Sequence, residues 1–179
     1  MKKTTIAIAM FTLTLCLPVL GANTQQKSTN HITEEQLNND LERQFLEGWR
    51  YSREGKYDLA EQSFLKAAKQ NHLKSQESLA LHYYFGKSGK VNYRLAGYWF
   101  HQAASKGSAR SEFTLGTMYI HAEGFPQDVE FGEYLINKAR QKGYKPAEEY
   151  MIVFEKMKEA CKQGDSKACE MTVTPQITW

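Results

Sequence analysis

Two cysteines, Cys161 and Cys169, sit with seven residues between them in the stretch "EACKQGDSKACEM". Such a pair can contribute two ligands to a metal site, exchange as a redox couple, or oxidise to a staple. The other groups able to do chemistry are scattered. None of the five histidines (His31, His72, His82, His101, His121) stands beside another ligand type at metal spacing, so each is expected to be a partly exposed helix residue and no metal is expected. Adjacent carboxylates occur at Glu34-Glu35 and Glu148-Glu149. Acid–base chemistry needs two groups converging on one pocket. These pairs instead fall where a helix opens, where negative charge complements the dipole. Glycine-rich phosphate loops, Gly-x-Ser-x-Gly and His-Glu-x-x-His are absent from the sequence, and no serine lies in a Ser-x-x-Lys motif with the supporting elements that chemistry uses. The expectation is no catalysis and no cofactor.

The start of the chain sets the redox context of the cysteines. Lys2 and Lys3 precede an apolar run from Ile6 to Leu20, closed by Gly21 and Ala22. That is the order of a secretory signal peptide, with cleavage expected after Ala22; a run of about 15 residues is short for a span of about 20. Removing residues 1–22 takes away Cys16 and leaves an even pair, which in an exported chain favours a disulfide. It also leaves 21 basic and 20 acidic residues, a balance that gives no reason to expect a nucleic-acid partner or stable membrane insertion. Residues 23–32 are polar with no apolar face and read as a flexible arm. Thr33, with Gln36 three residues on, reads as a capping box opening the first helix.

The elements that position the cysteines repeat. "YDLAEQSFLKAAKQNHLKSQESLALHY", "YRLAGYWFHQAASKGSARSEFTLGTMY" and "FGEYLINKARQKGYKPAEEYM" align without gaps at a spacing of 36 residues. Ala60, Ala96 and Gly132 correspond, as do Phe64, Phe100 and Ile136; Ala67, Ala103 and Ala139; and Leu79, Leu115 and Met151. Tyr83 corresponds to Tyr119, and both are expected in the core. Apolar and small residues at i, i+4, i+7 make the unit helical. Asn71, Gly107 and Gly143 share the next register position, which suits the left-handed residue just past a helix end. Each unit therefore reads as a helix, a sharp turn and a second helix, with Asp128 available to cap the helix after the second, wider turn. Such pairs cannot bury their apolar faces alone, so they must stack as a short all-α solenoid.

The central unit resembles the Sel1-like repeat family, a relative of the tetratricopeptide repeat. The residues that carry the resemblance are Ala96, Trp99, Ala103, Ala104, Gly107, Leu115, Gly116, Tyr119, Gly124, Phe125 and Asp128. Upstream, Gly48, Tyr51, Ala60, Phe64 and Ala67 are similar to a tetratricopeptide unit. The resemblance spans about residues 41–169, with departures at Gly132 and Arg140. It implies a helical-repeat domain over 33–171, followed by an extended tail at 172–179. It also implies a periplasmic or secreted scaffold that holds a protein or peptide on its concave face. By analogy with tetratricopeptide packing, Trp49, Tyr84, Phe85, Phe113 and Ile120 lie on or near that face, with Arg53 and Arg110 as its polar part. Cysteine-containing members of the family are associated with β-lactam binding or hydrolysis, which makes an envelope hydrolase the alternative; an inhibitor or immunity-type binder would use the same surface. Ala160-Cys161, Gly164 and Ala168 overlay Ala103-Ala104, Gly107 and Ser111, placing Cys161 in the small-residue pair and Cys169 one residue into the following helix. Members with cysteines at this place join them across the turn, so the resemblance implies a Cys161–Cys169 disulfide.

Overall fold

The computed structural model describes residues 33–173, and within them the regular elements are all α-helices. They are α1 (Glu34–Arg53), α2 (Tyr57–Ala68), α3 (Leu73–Tyr84), α4 (Tyr93–Ser105), α5 (Ala109–Ile120), α6 (Val129–Gln141), α7 (Lys145–Lys162) and α8 (Ser166–Val173). The leader at 1–22, the arm at 23–32 and positions 174–179 of the tail lie outside the described residues. The last helix runs two residues past the expected start of the tail.

Local chemistry sets the helix ends. The Thr33 hydroxyl accepts the Gln36 N–H at 3.2 Å while the Gln36 side chain accepts the Thr33 N–H at 3.0 Å, the expected reciprocal box. At the tight turns, Asn71, Gly107 and Gly143 take φ of +67°, +88° and +78°. Each makes the same two bonds: Gly107 N–H reaches the Ala104 carbonyl at 2.9 Å and Ser108 N–H the Ala103 carbonyl at 3.2 Å. Gly164 repeats the arrangement with φ +95°. The wide turns are also copies of one another. Asn92 N–H donates to the Tyr83 carbonyl and Asp128 N–H to that of Tyr119, while the Asn92 and Asp128 side chains cap α4 and α6.

Packing is phased differently from the units read in the sequence. The most extensive contacts are α5 on α6, α1 on α2 and α3 on α4; those across the tight turns, α2 on α3, α4 on α5, α6 on α7 and α7 on α8, are smaller. Between α3 and α6 pairing thus forms across the wide turns and the tight turn joins one pair to the next, whereas α7 and α8 meet across the tight turn at Gly164. The departure at Gly132 has a packing reason. A Cβ there would lie 2.6 Å from the Gly116 carbonyl oxygen, and one on Gly116 would lie 2.7 Å from the Gly132 oxygen, so the backbones of α5 and α6 touch. At the equivalent crossing of α3 and α4 both residues are alanine, Ala80 and Ala96.

The residues expected to be interior by register are buried. Tyr83 and Tyr119 differ in being only half-buried, packed on the edge of the core. The Tyr83 hydroxyl reaches out to Glu61 at 2.7 Å, because a phenol needs a polar partner. Lysines tie one pair to the next. Lys106 Nζ donates to the Asn71 carbonyl at 2.6 Å and Lys142 Nζ to that of Gly107 at 3.0 Å. The left-handed residues of the first two tight turns thereby offer their carbonyls to lysines 35 residues later. Lys142 and Lys138 also hold the fully buried Glu112 carboxylate, at 2.7 and 2.9 Å.

The terminal pair is closed covalently. A disulfide joins Cys161, near the end of α7, to Cys169, with Cα atoms 4.6 Å apart. Cys169 is the fourth residue of α8 rather than its first, because the helix opens directly after Asp165, whose side chain accepts the Ala168 N–H at 3.1 Å. Staple, rather than metal ligand, is therefore the role of this pair.

Candidate partner-binding site

The first two helix pairs leave a cleft open between α1 and α3. It has a volume of about 190 Å³ and is lined by Trp49 and Ser52 of α1, Phe64 of α2, Ser78, Leu81 and His82 of α3, and Phe85 and Lys87 of the wide turn. Trp49 and Phe85 stand at the rim, 51% and 58% exposed, while Phe64 is buried beneath them. Gly48 makes that floor possible: a Cβ there would fall 2.6 Å from the Phe64 ring. The Lys87 ammonium lies 5.9 Å from the ring centroids of Tyr57 and Phe85 and forms no ion pair among the described residues. The cleft thus offers two exposed aromatic faces, an apolar floor and one cation that is free to pair.

His82 belongs to a polar network under this cleft. Its Nε2 is 2.7 Å from Ser88 Oγ, and Ser88 Oγ is 2.8 Å from a Glu61 carboxylate oxygen. A hydroxyl has one proton, and only donation from Ser88 can serve the carboxylate, so the His82 Nε2–H donates to Ser88. A nucleophilic serine would need the opposite polarity, giving its proton to the histidine while the acid holds Nδ1. The network is therefore a latch that folds the α3–α4 turn over His82. Burial pushes the His82 pKa down, opposed by the Glu61 charge, and keeps the ring neutral. His82 was expected to be partly exposed; it is buried, because Ser88 closes over it. Among the described residues no group of three or more His, Cys, Asp or Glu side chains is placed to hold a metal ion.

The structure brings together only part of the expected surface. Trp49 and Phe85 share the cleft, and they occupy equivalent positions 36 residues apart. Arg53 is exposed at the end of α1, one residue beyond the lining Ser52. Tyr84 does not line the cleft, although its ring stands 5.2 Å from that of Phe85. Its hydroxyl donates to Glu123 at 2.9 Å, its ring meets those of Tyr93 and Phe100, and burial raises the pKa of both phenol and carboxyl. Arg110 is exposed on α5, away from the cleft-lining residues. Phe113 and Ile120 are corrected from surface to core: both are buried, and Phe113 packs against the rings of Tyr144 and Tyr150 as α7 closes over α5. Ser52, Ser78, Leu81, His82 and Lys87 were not foreseen as lining. Their signal was present: positions 78, 81/82 and 85 lie on one face of a helix at i, i+3/i+4, i+7, as do 49 and 52.

With this geometry the chain can be set beside known proteins. No family model matches the sequence, and no curated protein matches it. Solved structures do match. A Sel1 repeat protein from Oxalobacter formigenes superposes with a TM-score of 0.56 at 25% identity, covering 65% of this chain and 47% of that one. A protective antigen present in uropathogenic Escherichia coli strains, described as displaying an SLR fold, superposes with a TM-score of 0.59 at 23% identity, covering 75% and 34%. This chain has the Sel1-like repeat fold. It spans less than half the length of either solved chain. Within this fold the small-residue pairs Ala67-Ala68 and Ala103-Ala104 are all buried, one turn before the left-handed stop, as the repeat pattern requires. Folds of this kind are generally protein-interaction scaffolds.

Proposed function

We propose that this protein is an exported scaffold that holds a protein or peptide partner in the α1–α3 cleft, without turnover. One observation carries the reading: two aromatic side chains more than half exposed line one cleft over the buried Phe64, beside a lysine with no ion pair among the described residues. Exposed aromatic and cationic groups around a pocket are the material of interface hot spots. Size favours a side chain over a metabolite, since about 190 Å³ falls below the roughly 300–1,000 Å³ of small-molecule sites. Lys87 adds a preference for a bulky apolar residue with a carboxylate nearby. Export is supported by the order of the first 22 residues and by the disulfide, which persists in an oxidising compartment; no described helix is long and apolar enough to cross a membrane.

The test is a photo-reactive amino acid placed at Trp49, at Phe85, and at the exposed Lys156 of α7, followed by crosslinking in cells and mass spectrometry. The expected outcome is one partner captured from both cleft positions and not from Lys156. Capture from Lys156 alone, or different proteins from the two cleft positions, would defeat the assignment of the cleft.

A further inference from the structure

A second exposed apolar series runs over the second helix of each of the first three pairs, on residues that do not line the α1–α3 cleft. Leu59, Leu95 and Phe131 recur at the 36-residue spacing on α2, α4 and α6, and all three are exposed. One turn along, Tyr98 and Tyr134 are 53% and 59% exposed; on α2 the corresponding residue is Gln62. The Phe131 and Tyr134 rings stack at 6.1 Å and, with Asp128 and Glu130, line a shallow hollow of about 270 Å³. Apolar side chains scattered singly over a surface need no explanation; an exposed set that recurs at one register on three helices is not of that kind.

The residue before each member of the series carries a charge, and the sign alternates: Asp58, Arg94, Glu130. Arg94 and Glu130 make no ion pair or side-chain hydrogen bond among the described residues. From this arrangement we infer that the α4–α6 face binds a second copy of this chain about a twofold axis running along the helices between them. That axis sets Leu95 of one copy against Phe131 of the other and Tyr98 against Tyr134. It also sets Arg94 against Glu130, and each pairing occurs twice, as an isologous interface demands. The alternatives are worse. An axis through α4 would oppose Arg94 to Arg94 and Asp58 to Glu130, all like charges. An axis between α2 and α4 would match Asp58 with Arg94 but would place Gln62 where the α4–α6 arrangement has a tyrosine. Of these three axes along the helices, only the α4–α6 one satisfies both the charges and the aromatic residues.

The test is sedimentation of the protein purified from its expressing cells, after any processing of its N-terminal segment. The unaltered protein is expected to form a concentration-dependent dimer. Arg94→Glu and Glu130→Arg are each expected to weaken it by about tenfold or more, since each makes both cross-pairs repulsive. Mixing the two variants restores opposite charges at both pairs, so a heterodimer is expected with near-original affinity, a rescue that a folding defect cannot produce. The inference is overturned by a monomer at every concentration up to the solubility limit, by a dimer indifferent to either change, or by failure of the mixture to associate.

Discussion

Replacing Gly132 with alanine sets two effects of known sign against each other. Glycine in a helix interior costs about 0.5–1 kcal/mol relative to alanine, so propensity alone makes the substitution stabilising. The structure opposes it. The new Cβ would stand 2.6 Å from the Gly116 carbonyl oxygen and 2.6 Å from Ile120 Cγ1. Backbone cannot rotate out of the way, so α5 and α6, the most extensively packed pair of helices, must part. Overpacking of this kind costs about 1–3 kcal/mol, and the net expectation is a loss of about 1–2 kcal/mol. Urea unfolding followed by far-UV circular dichroism reads this directly. With a slope of about 1–3 kcal/mol/M, the midpoint should fall by about half a molar or more. Gly97→Ala is the control, because the nearest atoms to its Cβ would be the Phe125 ring, at 2.3 Å, and the Met118 methyl, at 3.5 Å, side chains rather than backbone. A smaller loss is expected there. A midpoint that rises in Gly132→Ala by the propensity gain would refute the close backbone crossing.

Two further outcomes follow from the terminal clamp and the buried histidines. Cys161 and Cys169 are 8 residues apart, and closing so short a loop is worth about 2.5 kcal/mol in the chain-entropy model. Replacing both with serine should therefore speed amide exchange in α8 by up to about sixtyfold while leaving α3–α6 unchanged; equal α8 protection in the two proteins would show the bond to be energetically idle. Burial holds the pKa of both His82 and His121 below the ordinary histidine value, so below about pH 6.5 the unfolded chain binds protons that the folded chain refuses. Stability should fall as pH drops from 7.5 to 5.5, with a shallower fall in His82→Gln; an identical pH slope in the variant would remove His82 from the account.

The 36-residue register, the capping box at Thr33 and the left-handed stops at Asn71, Gly107 and Gly143 were legible because each is a local demand. Only certain residues cap a helix or take positive φ, and repetition made the demand visible three times over. What a repeat cannot reveal is which neighbour covers each copy. Phe85 and Phe113 are both aromatic and both on the expected inner side, yet Phe85 is open to solvent and Phe113 is buried. The difference lies in α7, which brings Tyr150 onto Phe113, whereas the α1–α3 opening has no such lid. The phase of pairing was hidden for a related reason. Sequence shows the tight turn most clearly because it is marked by glycine, but the energy of packing lies across the wide turn, where small residues such as Gly116 and Gly132 meet. Equivalence between units is thus written in the chain, and exposure is decided by the order in which the units stack. The outer series of Leu95, Tyr98, Phe131 and Tyr134 follows the same rule. It keeps the repeat register at positions outside the core, and the paired-copy interface inferred above is the explanation that the charges of Arg94 and Glu130 favour.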